Sequence, residues 1–530
     1  MSSDPIPSLP RTTVAFGLFL MTILLGIALN CIYFLWYQPS PPVVKSTHKE
    51  VIVLAEDNLE KILKDVPENT CLLLAPAVRR LNLRLTNKAK IILKGNGKPG
   101  SVVLETLPDT SFTIEDCTGC RLENITIKSD SVGHAALRIV HGAKIEIVQT
   151  ILEGVAKAVE IMTQSSDIAI GKCAIKGKIV ISDSRRLALT ENKISWQNSA
   201  FAGPLLQISK SQQLSLDNND LQGRLEMIEV TADSGFQNCV LRNKIIAPQI
   251  GLILESCNDF LLTANTIETE KGPGLGIRKS SNIQIGKTKL SNNIKAVQAM
   301  AIEISSSKEI SLVDNWIGNR DATQDALQSA YALEIRFSSR VSVLHNEITG
   351  FVDYQAGTHA IQEVRGGGVL VDNVIEVAIK NNQIKHGLRK GIYFKKQSDG
   401  VIGDNQIEDN ADSGIEIENS TATVGPNNTV IKNITGIVIK NSSGLIIANL
   451  ISKNNAEGIV LDNTALKIVK NKIVENGADG ISLRGNSTPE LEQNELIKNQ
   501  GYGVAFRQSK IVQWKQNNLF QENQKGDSNK

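Results

Sequence analysis

GIEIENSTATVGPNNTVIKNITGIVIKNSSGLIIANLISKNNAEGIVLDNTALKIVKNKIVENGADGISLRG, from Gly414 to Gly485, states one pattern again and again. Glycine followed by isoleucine opens each unit, at Gly414, Gly436, Gly458 and Gly480. Read outward to Gly391 and Gly503, this register advances in steps of 23, 22, 22, 22 and 23 residues. A second register of asparagines, Asn382, Asn405, Asn428, Asn449, Asn471 and Asn494, advances by 23, 23, 21, 22 and 23, each with an aliphatic residue two positions later. Two landmarks moving in step define the coil of a solenoid.

Within each unit lie two or three alternating runs, such as Gly414 to Asn419 and Ala465 to Ile473, the pattern of strands with one face buried. Units this short, with Gly and Asn at corners and Ile, Val and Leu between them, predict an all-β fold: a parallel β-helix in which each strand pairs with its equivalent one coil away. Gly and Asn suit corners because both tolerate the left-handed backbone. An inward asparagine at the same corner of every coil forms a hydrogen-bonded ladder. Weaker copies upstream, Phe112 to Ile127, Leu187 to Ile194, Cys239 to Ile245, Phe260 to Ile267 and Ile310 to Ile317, extend the rod. The whole amounts to roughly eighteen coils, about 85 Å at the usual interstrand spacing.

DNLEKILKDV, Asp57 to Val66, reads as a short amphipathic helix opened by an Asp cap. The first coil that follows ends in LKGNG, Leu93 to Gly97. With this opening and these repeats, the chain resembles the right-handed parallel β-helix superfamily, the pectin-lyase-like group with its carbohydrate-binding and sugar-hydrolase repeats. The resemblance covers roughly residues 50 to 522. It implies a single right-handed β-helix behind a capping helix, and a scaffold that hosts lyases, hydrolases, epimerases, adhesins and inert rods.

Ahead of the rod, Val14 to Tyr37 runs 24 residues without a charge, enough to cross a bilayer core. No small-x-small cleavage site precedes the Pro-rich QPSPPVV, so the segment reads as an uncleaved signal anchor, with aromatic residues at its exit. The expected organisation is a tail at 1–13, an anchor at 14–37, a Pro-rich linker at 38–50, the β-helix at 51–522 and a polar tail at 523–530. The resemblance places the rod on the extracytoplasmic side, periplasmic or extracellular. Of seven cysteines, Cys31 lies in the anchor and six in the rod, and Cys117-x-x-Cys120 falls at a corner without a second ligand pair, so they read as buried structural residues. A net charge of +2 on 530 residues gives no electrostatic footprint for nucleic acid.

Aligning Ala301–Ser305, Ala332–Phe337, Ala360–Arg365, Gly391–Lys396 and Gly414–Asn419 places Glu303, Glu334, Gln362, Tyr393 and Glu416 outward in one column, with Arg336, Lys395 and Glu418 in the next. Glu303 and Glu334 would stand on adjacent rungs about 4.8 Å apart. Two like charges so placed resist ionising together. One response is a general acid, another a bound cation, for which Ca2+ is the candidate; the competing reading is that Arg336 and Lys395 offset them. No dedicated metal cluster is evident. Retaining glycosidases hold their carboxyl pair at about 5 to 5.5 Å, which the rung spacing permits.

At these coils the asparagine step lengthens to 31, from Asn315 to Asn346, and 36, from Asn346 to Asn382. The extra residues leave the stack as loops 318–330 and 349–368, bringing Asp353 and His359 over the column. The region also resembles β-helix alginate C5-epimerases, whose K-H-G-I element is matched by Lys385-His386-Gly387-Leu388; their D-P-H-D element has no counterpart here, so epimerisation does not transfer. Two functions follow. In one, a membrane-anchored polysaccharide-processing protein uses Glu303 and Glu334 as catalytic carboxylates, while Arg336, Tyr393, Lys395, Glu416, Asp353, His359 and His386 bind the glycan. In the other, a noncatalytic envelope scaffold binds a protein partner. Retention of the anchor means that amino-terminal sequencing of the mature chain should find a start well before Cys31; a start beyond it would show cleavage.

Overall fold

The computed structural model describes residues 48–196, 203–233, 236–270, 272–293, 301–320, 330–352, 366–507, 513–514 and 517–529. The anchor at 14–37 lies outside them, and no helix among the described residues is long and apolar enough to cross a membrane.

One coil shows how the repeat folds. Ser443–Ile447, Leu450–Ser452 and Ile459–Asp462 form its three strands, and each pairs in parallel with the strand one unit later, Lys467–Val469, Lys472–Val474 and Ile481–Arg484. Repeated along the chain, this gives three parallel ladders wound as a right-handed β-solenoid of about 18 turns. The first ladder forms a 20-stranded sheet. The second and third merge into a 35-stranded sheet because Ile151–Met162 and Ala174–Ser182 run through the corner between them. Inward residues stack into aliphatic columns, as with Ile437, Ile459 and Ile481, all buried.

The corners decide whether this stack closes, since every turn carries backbone groups into a dry interior. At the first-to-second corner, Asn428 is wholly buried; it donates through Nδ2 to Ile402 O and Asn449 Oδ1, both at 2.8 Å, and accepts on Oδ1 from the backbone and side-chain nitrogens of Asn405, both at 3.0 Å. The same contacts recur from Asn315 to Asn518. At the third-to-first corner a hydroxyl does the work: Ser398, Ser420 and Ser442 each donate a backbone N–H to the next hydroxyl, at 3.2, 3.1 and 3.3 Å. Cys257 and Cys173 substitute for these residues in the two stacks, each thiol donating to a backbone carbonyl two residues back. A third stack, Asn410 to Asn523, fills the second-to-third corner of the later coils.

Two expectations are corrected. The register glycines are not left-handed; a Cβ on Gly436 would lie 2.4 Å from Gly458 O and 2.6 Å from Ile451 Cγ2, so they are there for want of space under the third corner stack. Left-handed corners fall instead to residues such as Asn419, Asn441 and Asn463. The capping helix spans Leu59–Asp65 and is capped by Asn58, whose Oδ1 accepts from Lys61 N at 3.0 Å, whereas Asp57 accepts from Leu54 N at 2.6 Å. Leu59 and Leu63 close the core behind it.

Asn428→Ala leaves the Asn405 N–H buried without a partner and takes one of two donors from the Ile402 carbonyl, which keeps the Gly425 N–H at 2.7 Å. A loss on the order of 2–4 kcal/mol is expected, read as a lower urea midpoint for the coils around it.

Candidate functional site

The third ladder carries the sequence-derived column. Glu303 lies opposite Glu334 in register, as expected. The next rung differs: Gly366–Asp372, not Ala360–Arg365, is the strand paired with Ala330–Arg336, so Leu370 occupies the position assigned to Gln362. Tyr393 and Glu416 follow in line. In the adjacent column the order is Arg336, Asp372, Lys395, Glu418 and Lys440. Asp372 escaped notice in the sequence because the longest insertion precedes it and displaced the alignment by one short strand. Its signal was Val371-Asp372-Asn373, which repeats the strand ending of Leu461-Asp462-Asn463.

These outward side chains form a lattice of ion pairs over buried carboxylates. Glu334 is almost fully buried and takes Arg336 Nη2 at 2.7 Å and Nε at 3.1 Å on one oxygen. Asp372 is wholly buried; its Oδ2 faces Arg336, Lys395 and Lys396 at 3.2, 3.3 and 3.4 Å, while its Oδ1 has no hydrogen-bond partner among the described residues. Glu416, also buried, meets Lys440 Nζ at 2.9 Å, Ser413 Oγ at 3.2 Å and Lys390 Nζ at 3.4 Å. Glu303 pairs with Arg278 at 2.8 Å. The two facing glutamates are thus held by separate guanidiniums, one on each side.

Among them stand two tyrosines. Their rings, Tyr331 and Tyr393, lie 6.5 Å apart at 32°, and Lys390 Nζ sits 4.5 Å from the centroid of Tyr393. Burial, the hydrogen bond Tyr393 donates to Glu418, and the charges of Glu418 and Glu416 push its phenol well above the usual range. Burial does the same for Tyr331. Burial would lower the Arg336 guanidinium, but its hydrogen bond to Glu334 and the charges of Glu334, Asp372 and Glu303 outweigh that and raise it. Lys440 is raised in the same way by Glu416, against its own desolvation.

The remaining expected residues divide. His386 is exposed at the second-to-third corner in a left-handed conformation, its backbone N–H donating to Glu408 O at 3.3 Å, and is not part of the lattice. Asp353 and His359 lie outside the described residues. The connections 294–300, 321–329 and 353–365 each follow a second-ladder strand and precede a third-ladder strand in the chain. Among the described residues no group of three or more His, Cys, Asp or Glu is placed to hold a metal ion. The six rod cysteines are buried; the neighbouring thiols of Cys117 and Cys120 act on each other, holding Cys117 below its usual value and, with burial, raising Cys120.

With the fold and this face described, the family follows. The chain belongs to the right-handed β-helix family, whose model, described as the right-handed beta helix region, matches residues 177–348, 319–449 and 367–524. No curated protein matches it. Similar solved structures include the periplasmic alginate epimerase AlgG (10% identity, 88% of this chain and 83% of that one, TM-score 0.24). The A-module of the Azotobacter vinelandii mannuronan C-5 epimerase AlgE4 aligns at 11% identity over 85% of this chain and 90% of that one, TM-score 0.20. A mutant DFA-IIIase from Arthrobacter chlorophenolicus A6 aligns at 11% over 60% and 72%, TM-score 0.31.

The lattice makes unequal demands on its members. Asp372→Asn strips charge from beneath three cations and is expected to cost about 2–3 kcal/mol in urea unfolding. Glu303→Gln, at a half-exposed pair, should cost under about 1 kcal/mol.

Proposed function

We propose that the protein is a polysaccharide-binding β-helix, held at a membrane by Val14 to Tyr37 with the rod on the extracytoplasmic side, and that the column from Glu303 to Lys440 receives an acidic chain. The carrying observation is that charge is buried where the fold does not ask for it. Three later coils place Val438, Val460 and Ser482 at the position of Glu416, and their strands pair without interruption. Burying carboxylates on this face is costly unless they are paired, so a ladder needing only to exist would carry valines there too.

The sign of the ligand follows from what faces solvent. Side chains of Lys396, Lys440 and Arg336 are 64%, 40% and 35% exposed, over Asp372, Glu334 and Glu416 at 0%, 4% and 5%. Cations form the outer layer and carboxylates the floor, which suits uronate or sulfate groups, with the half-buried Tyr393 ring offered to a sugar face. Glu334 and Glu416 are each clamped by cations, a state that fits holding a ligand better than passing a proton.

Affinity electrophoresis in gels containing polygalacturonate or alginate tests this. Tyr393→Ala and Lys390→Ala should each weaken retention by about fivefold, roughly 1 kcal/mol, with the far-ultraviolet circular dichroism unchanged. Unaltered retention in both variants would remove the column as the site.

A further inference from the structure

Across the third-to-first corner from the lattice lies a groove of about 650 Å³ with a different chemistry. It runs over four successive coils, and its walls come from equivalent positions: Asn419, Asn441 and Asn463 in one file, Thr421 and Ser443 in the next. Asp399 is the one charged residue lining it, and its Oδ1 already accepts the Glu376 backbone N–H at 2.5 Å. The Thr421 and Ser443 hydroxyls are exposed and 3.0 Å apart, each able to serve as donor or acceptor to a further partner.

Two rungs before the groove the corner position is held by Phe337, 58% exposed and left-handed at φ 50°. Left-handed backbone is expensive for an aromatic residue, and the same turn is made by Asn419, Asn441 and Asn463 without that cost. Ile375, on the rung between, is 56% exposed. An apolar platform thus stands in file with the amides and hydroxyls, about 24 Å of axis from Phe337 to Asn463.

We infer that this strip is a second binding site, for an extended neutral glycan lying along the rod, with amides and hydroxyls taking sugar hydroxyls and the Phe337 ring stacking on a sugar face. It stands apart from the acidic-chain reading of the column, from which it differs in residues and in charge. A polypeptide adding as a strand is excluded, because the N–H and C=O groups of these strands are consumed between coils. Walls whose single charge is a carboxylate give no purchase on uronates or phosphates, while rungs repeating at about 4.8 Å suit a ligand that repeats its hydroxyls along its length.

Cellohexaose, mannohexaose and chitohexaose, titrated calorimetrically into the full chain, form the test. At least one should bind. The pair Thr421→Val with Ser443→Ala removes two hydroxyls from strand positions that accept the replacements, and should weaken that binding about tenfold. Phe337→Asn should weaken it several-fold while raising the thermal midpoint, since asparagine adopts the left-handed turn more easily; a residue kept for structure would not show that opposition. Tyr393→Ala should leave the neutral hexaose untouched. The inference is overturned if none of the three binds, if the hydroxyl variant binds as tightly as the parent chain, or if Tyr393→Ala alone abolishes binding.

Discussion

The stacked asparagine amides at the first-to-second corner are what the rest of the rod depends on. Each side chain has two donors and an acceptor with two lone pairs, and the corner uses them on the turn before and the turn after, side chain and backbone alike. A corner met by an aliphatic residue would leave a buried N–H unanswered on every turn. With the amide in place the aliphatic rungs can stack, and their burial supplies the bulk of the stabilisation. Hydroxyls do the same at another corner, which explains why Cys257 fits there: its thiol meets the geometric demand of serine.

This hierarchy explains what was legible in the sequence. Strand, corner and coil length all follow from positions that face inward, where identity is constrained in every turn, so Asn382 to Asn494 announced the fold unaided. The role of the register glycines was misread, because a missing Cβ looks the same in sequence whether it relieves a backbone angle or a steric clash. The helix cap moved by one residue, from Asp57 to Asn58, since both side chains can cap and the local turn in which Asp57 accepts from Leu54 chose between them.

Outward positions are legible only through the register, and fail where it does. Glu303, Glu334, Tyr393 and Glu416 fell into line because regular coils flank them. Asp372, the most buried carboxylate of the lattice, was hidden behind a connection whose length the pattern does not fix, and His386 was drawn in by a match of three residues in four that falls at a corner outside the lattice. Nothing in the spacing revealed that Arg336 and Lys395 spend much of their charge on Asp372.

The coils from Gly414 to Gly485 meet only their neighbours, through nearly identical surfaces at both ends. A unit of this kind is interchangeable: removing one beyond Lys440, or copying one, brings together faces that already match, and leaves the lattice before it intact. Rod length is therefore a free variable in the inheritance of this protein. Recombination between repeats can lengthen or shorten the distance from the binding faces to the carboxyl end in whole-coil increments, without any residue having to find a new role.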